Sequence, residues 1–289
     1  MKTYISAIIA VLLAGCTGEF GAENAVAQDA AEVESAATDQ AEELKALFDR
    51  ARWGDGEAYL KLADCYRDGI GVKKDFLWML FMVCLSTQHG GIENEIRYAN
   101  SIPDGNEYKL CFDVVSMSSH CLIEDTDAIL QQLTAIDNPD ALAVRGIVTM
   151  EDGDDVEGIR LIRDAARQGS SFAELLLMTE LLETQSMPDE NELLQIADRV
   201  PLAYKLLAKA CLEPDEYGNI RKEQAAFYLL KAEEKALLSL NEARWLLSYH
   251  KNGGGDALTE EDVRRLESFL CPPKKSYKAA AVDTVCIEE

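Results

Sequence analysis

Strand-like runs of β-branched residues are missing from this chain, and prolines number only seven in 289 residues. Both absences favour helices, because β-branched residues suit pleated strands and proline breaks helix interiors. The fold class is therefore all-α. The three histidines, His89, His120 and His250, are scattered, and neither CxxC nor HxxxH spacing occurs. The usual frames for a zinc site are thus absent, and no metal or other cofactor is expected. GxSxG, HExxH and a Walker lysine loop are also lacking, so no catalytic residue is assigned and the chain is not read as an enzyme. Positive charge is scarce, with 28 Lys and Arg against 52 Asp and Glu and a net charge of −24. Such a surface is repelled by nucleic-acid phosphates and anionic headgroups. Nucleic-acid binding and membrane binding through the folded surface are excluded on that ground.

One stretch, WGDGEAYLKLADCYRDGIGVKKDFLWMLFMVCLSTQHG, organises the rest. It reads as a helical hairpin. Apolar positions Ala58, Leu62, Ala63 and Tyr66 recur at helical spacing over 57–67. Gly69 and Gly71 break that helix, since glycine takes positive φ without steric cost. Asp75 is the expected N-cap of a second helix. That helix should end at Gly90-Gly91 in a left-handed cap. Neither helix can bury its apolar residues alone, so the unit calls for stacked neighbours.

The order Ala58, Leu62-Ala63, Tyr66, Gly69-x-Gly71-Val72, Asp75, Gly90 resembles a Sel1-like repeat, a relative of the tetratricopeptide repeat. Ala63 stands where that family usually has Gly, and Met79, Met82, Ser86 and Thr87 replace its usual Ala, Trp and Ala-Ala. The resemblance implies an α/α solenoid of stacked antiparallel helix pairs, some of them degenerate. The frame recurs. Asp75 and Gly90 are 15 residues apart, as are Asp154 and Gly169 around DDVEGIRLIRDAARQG, and Asp39 and Gly54 around DQAEELKALFDRARWG. Gly54 is followed four residues on by Ala58, and Gly169 by Ala173. The Ala165-Ala166 pair matches the family pattern, and Ala58, Ala63, Ala165, Ala166 and Ala173 are expected to let helices approach closely. Ala166 is placed inside. Helices are also expected at 93–100, 106–118, 125–136, 141–149, 189–199, 202–211, 221–238, 241–250 and 259–270, with Thr259 and Asp262 as a capping box.

The start of the chain is read apart from the fold. Lys2 gives a positive leader, and the apolar run 4–13 is too short to span a bilayer. Leu13-Ala14-Gly15-Cys16 resembles the lipobox of bacterial lipoproteins. It implies cleavage before Cys16, diacylglycerol on its sulfur and acylation of the new amino terminus, an anchor of more than one chain. Residues 1–15 are thus a lipoprotein signal peptide. Thr17, not Asp, follows the cysteine, which points to the outer rather than the inner membrane of a bacterial cell envelope. Residues 16–38 form an acidic tether, 39–271 the helical array, and 272–289 an irregular tail. Between Glu19 and Glu43 there are eight acids and no Lys or Arg, and like charges extend such a segment.

Eight cysteines suit an exported chain. Cys65 with Cys84, Cys111 with Cys121, and Cys271 with Cys286 are candidate disulfides, and buried free thiols are the alternative. Gly69-x-Gly71 before Lys73-Lys74 lacks the third glycine and preceding strand of a phosphate cradle. Two functional classes remain. A membrane-tethered scaffold would bind partner proteins or peptides on a concave face, with Tyr59, Lys61 and Arg67 as the candidate partner face. Its net negative charge favours basic patches on those partners. The alternative is an envelope enzyme or binder of small cell-wall-derived ligands, β-lactam or peptidoglycan fragments. A pocket with a hydroxyl or thiol beside a base would mark the second class, and a broad groove the first.

Overall fold

The structure is a computed structural model. It describes residues 36–52, 54–120, 126–184, 190–214, 218–234, 238, 240–254 and 258–270. Cys16, tether residues 16–35, Cys121, Cys271, Cys286 and the tail lie outside the described residues. Every regular element among the described residues is a helix. In chain order these are α1 (Ala36–Arg52), α2 (Gly56–Asp68), α3 (Phe76–Gly90), α4 (Ile92–Ser101), α5 (Lys109–His120), α6 (Thr126–Thr134) and α7 (Pro139–Glu151). There follow α8 (Asp155–Arg167), α9 (Ser171–Thr184), α10 (Glu190–Arg199), α11 (Ala203–Leu212), α12 (Lys222–Glu234), α13 (Leu240–Lys251) and α14 (Glu260–Leu270). Packing is densest within three sequential pairs, α2 with α3, α7 with α8, and α11 with α12. The all-α array of helix pairs is thus the observed architecture.

Local chemistry sets the boundaries. Asp55 caps α2 by accepting from Glu57 N and Ala58 N, and Arg50 Nε holds the same carboxylate at 2.8 Å. Gly69 closes α2 at φ 73°, ψ 36°, the left-handed cap expected there. Asp75 caps α3 through Trp78 N at 3.0 Å, and Asp154 caps α8 through Glu157 N at 3.0 Å. The Thr259–Asp262 capping box forms, with Thr259 N donating to Asp262 Oδ2 at 2.8 Å and Asp262 N to Thr259 Oγ1 at 3.1 Å.

Some boundaries differ from expectation. Asp39 lies inside α1 rather than at its start, since that helix is described from Ala36. The helix expected over 106–118 runs over Lys109–His120. The helix expected over 221–238 is described over Lys222–Glu234, with 235–237 outside the described residues. Helix α3 ends at Gly90-Gly91 as expected, but its cap Gly91 has φ 79° and ψ 175°, a positive φ outside the left-handed helical region. The hydrogen of Gly90 makes room for Asn94, whose Nδ2 would lie 2.1 Å from an added Cβ. That amide donates to Ser86 Oγ at 2.8 Å, and Ser86 in turn donates to Gly56 O at 2.8 Å, tying α4 and α3 to α2.

The array is not an open row at its N-terminal end. Helix α3, FLWMLFMVCLSTQHG, is apolar around most of its circumference, and such a helix must be covered on all sides. Helix α2 covers one side and α4 another. Helix α9 covers its start, where the Phe76 ring meets Phe172 edge-on at 5.2 Å. Farther along, Phe81 lies 5.9 Å beneath Lys205 Nζ of α11. Helices separated by most of the chain therefore share one core, running from Leu44 to Leu266.

The pair α7/α8 packs by a different means. A Cβ on Gly146 would lie 2.8 Å from Gly158 O, and one on Gly158 would lie 2.6 Å from Gly146 O. The two backbones touch where each helix has no side chain.

Candidate functional site

Helix α9 carries the two features that bear on function. Its first turn sits in a buried polar junction, and its next turns wall an open groove.

At the junction the starts of α3, α7 and α9 converge. Ser171 Oγ donates to both Asp75 carboxylate oxygens at 2.9 Å. Ser170 Oγ donates to Asp140 Oδ1 at 2.6 Å and accepts from Ala173 N at 3.0 Å, capping α9. Asn138 caps α7 by accepting from Asp140 N at 2.7 Å. The Asn138 amide reaches Glu107 Oε2 at 2.9 Å, and Lys74 Nζ pairs with Glu107 Oε1 at 2.9 Å. Helix N-termini carry partial positive charge, so this is where two carboxylates can be buried with least penalty. Burial nonetheless pushes the Asp140 carboxyl up to about 6; the Ser170 bond opposes the shift and the Asp75 charge adds to it. Burial also raises Asp75, against the pull of the Trp78 N–H and the Ser171 hydroxyl. Burial and the Asp140 charge push the nearby Cys111 thiol up to about 12, so it remains protonated and unreactive. Asp140 is only 7% exposed, which leaves a substrate no approach. The chemistry of this junction is cohesion.

The groove lies between α8, α9 and α10 and encloses about 460 Å³. That is within the range of about 300–1,000 Å³ typical of ligand sites. Leu177 and Leu181 of α9, Ala166 of α8 and Ile196 of α10 supply apolar surface. Arg163 and Arg167 from α8 and Arg199 from α10 stand around it, with Glu174, Glu180 and Gln195. Arg199 Nε pairs with Glu174 Oε1 at 2.8 Å, and Arg167 Nη1 with Asp164 Oδ1 at 2.8 Å. Arg163 is exposed. Among the described residues lining the groove there is no serine, threonine, cysteine or histidine.

The residues singled out from sequence fall elsewhere. Ala58, Ala165 and Ala173 are fully buried and Tyr66 stacks on Trp78 at 5.5 Å. Gly54, Gly71 and Gly169 take positive φ. Ala166 is half-buried: it packs against the edge of the core and also lines the groove. The expected partner face is corrected. Tyr59 is fully buried, stacked on His89 at 5.6 Å, because α3 and its flanking residues close over that side of α2. Arg67 is 8% exposed, held by Asp64 and Asp68 and lying 5.9 Å over the Tyr98 ring. Only Lys61 of the three is exposed. Cys65 is a buried free thiol and forms no bridge to Cys84. Cys111 is likewise a thiol, donating to Glu107 O at 3.8 Å. The remaining disulfide candidates, Cys121, Cys271 and Cys286, lie outside the described residues.

Sequence reading missed Asp140, Ser170, Gly158 and the groove. Two of these had a signal. The serine pair after Gly169 is a ready N-cap, and a glycine inside a helical pattern implies a packing reason.

Among solved structures, the chain is similar to a Sel1 repeat protein from Oxalobacter formigenes, at 14% identity and a TM-score of 0.34, over 83% of this chain and 98% of that one. No protein-family model matches the sequence, and no curated protein matches it.

Proposed function

We propose that this protein is a binding scaffold of the bacterial cell envelope, held at the membrane, the outer one by preference, through lipid on Cys16. The observation that carries the reading is the groove between α8, α9 and α10. It combines apolar surface with polar groups at its edge, and among the described residues of its lining there is no hydroxyl, thiol or imidazole. A surface of that kind suits a polypeptide segment, which fills apolar recesses with side chains and meets arginines with its own polar groups. The net charge of the whole chain, −24, favours partners with basic patches.

The test is cross-linking in intact cells followed by capture, comparing wild type with Cys16→Ala. Discrete envelope proteins should be captured by wild type and lost without the anchor. Capture of nothing by either form would overturn the scaffold reading and turn attention to cell-wall fragments as ligands.

A further inference from the structure

The groove departs from the rest of the molecule in charge. In a chain carrying 52 acids and 28 bases, its lining holds three arginines and two glutamates. Glu174 is committed: its side chain is 15% exposed and already bonded to Arg199. Arg163 makes no ion pair among the described residues and is exposed at the groove. It also lies four residues from Arg167, whose side chain is 75% exposed. Like charges at that helical spacing repel each other. Arg167 is held by Asp164 and Arg199 by Glu174, and Glu180 also lines the groove, so among the described residues Arg163 is the groove arginine left to pair, beside Ala166, Leu177 and Leu181.

We infer that this groove selects an acidic peptide segment, one in which aspartate or glutamate flanks a bulky apolar residue. The apolar side chain enters between Leu177, Leu181 and Ile196, and the carboxylate meets the guanidinium of Arg163 in a charge-assisted pair. Repulsion from the molecule's overall negative charge does not forbid this. Screening confines exposed charges to about 8–10 Å at physiological ionic strength, so the distant acids of the molecule do not reach a carboxylate held at Arg163. The inference rests on the scaffold reading and names the chemistry of one of its ligands. The acidic groove ligand and the basic surface patches favoured elsewhere would belong to different parts of a partner.

The experiment is selection of short random peptides displayed against the detergent-solubilised full chain, repeated against Arg163→Glu. That substitution leaves every ion pair described above in place. Arg163→Gln, which adds no charge, is the second variant, and circular dichroism of both should match wild type. Selected sequences should carry an excess of Asp and Glu beside Leu, Ile or Phe. One of them, labelled and followed by fluorescence anisotropy, should bind Arg163→Glu at least about tenfold more weakly, the scale of one lost charge-assisted contact. Enrichment of basic or uncharged peptides, equal binding by the variants, or no enrichment at all would each overturn the inference. Envelope proteins captured in cells alongside basic peptides selected here would leave the scaffold reading standing and remove only this ligand class.

Discussion

The pairs α2/α3 and α7/α8 share one frame and solve opposite problems. Each closes with a helix bracketed by an aspartate and a glycine 15 residues apart, Asp75 with Gly90 and Asp154 with Gly169. In the first pair the second helix is apolar nearly all round and lies at the centre of the molecule. In the second it buries Gly158, Leu161, Ile162 and Ala165 and turns Arg163 and Arg167 outward. The first pair is filled by large side chains, Phe76, Phe81, Met79 and Met82. The second is brought together by the absence of side chains at Gly146 and Gly158. A shared frame therefore specifies where a helix starts and stops, and leaves open what it faces.

The contrast can be broken or sharpened at five places. The largest effect is expected at Phe76, whose ring bridges Phe172 and Tyr108. Phe76→Ala should cost about 3–5 kcal/mol, the range for emptying a buried aromatic site, as read from the denaturant midpoint.

The next effect lies where the two pairs meet. Asp140 has a folded-state pKa of about 6 against an ordinary 3.8. The folded state binds the proton more tightly than the unfolded one. Its stabilisation is therefore complete below about pH 3.8 and is lost as pH rises through about 6. The loss amounts to at most about 3 kcal/mol at 1.36 kcal/mol per pH unit. Asp140→Asn, which keeps an acceptor for Ser170, should flatten this part of the stability profile between pH 4 and 7.5. An unchanged slope would mean that Asp140 does not hold the proton.

Gly158→Ala sharpens the comparison. It adds one methyl group, yet that carbon would lie 2.6 Å from Gly146 O. The net cost should be about 1–2 kcal/mol, after overpacking of about 1–3 kcal/mol is offset by up to about 1 kcal/mol of helix propensity. Met79→Leu, a volume-conserving change in α3, should cost less than about 1.5 kcal/mol. Thermal denaturation of the two variants would separate the packing modes; a neutral Gly158→Ala would erase the distinction. The smallest effect on stability is expected at Ala166. Because it is half-buried between the core edge and the groove, Ala166→Leu should cost less than about 1 kcal/mol while obstructing peptide binding.

What the sequence made legible was chemistry acting within a few residues. The caps at Asp75 and Asp154, the break at Gly69 and the capping box at Thr259 need only local hydrogen bonds, and all four occur. Tyr59 and Arg67 were misplaced because their exposure depends on what covers α2, and an aromatic or a cation on a helix looks alike whether solvated or enclosed. The all-round apolar character of α3 did carry the answer, since such a helix cannot stand in an open row. The groove was illegible because three helices contribute to it and its arginines resemble an ordinary wet face. Asp140 could not be distinguished from any acid near a helix start until Ser170 arrived beside it from thirty residues away.

The bond from Ser171 to Asp75 joins residues ninety-six positions apart in the chain. Repeats held only by their neighbours can detach one after another from either end. A clasp of this reach removes that freedom from the helices it encloses. Closing so long a loop costs about 4 kcal/mol in chain entropy beyond a constant term, and once closed it binds α3 through α9 into one trunk. Helices α13 and α14 lie beyond the clasp and can peel away without opening it. The molecule is therefore mechanically lopsided: tension entering at the N-terminal end meets α1 and α2 docked on the trunk, while tension at the other end meets a part that can yield.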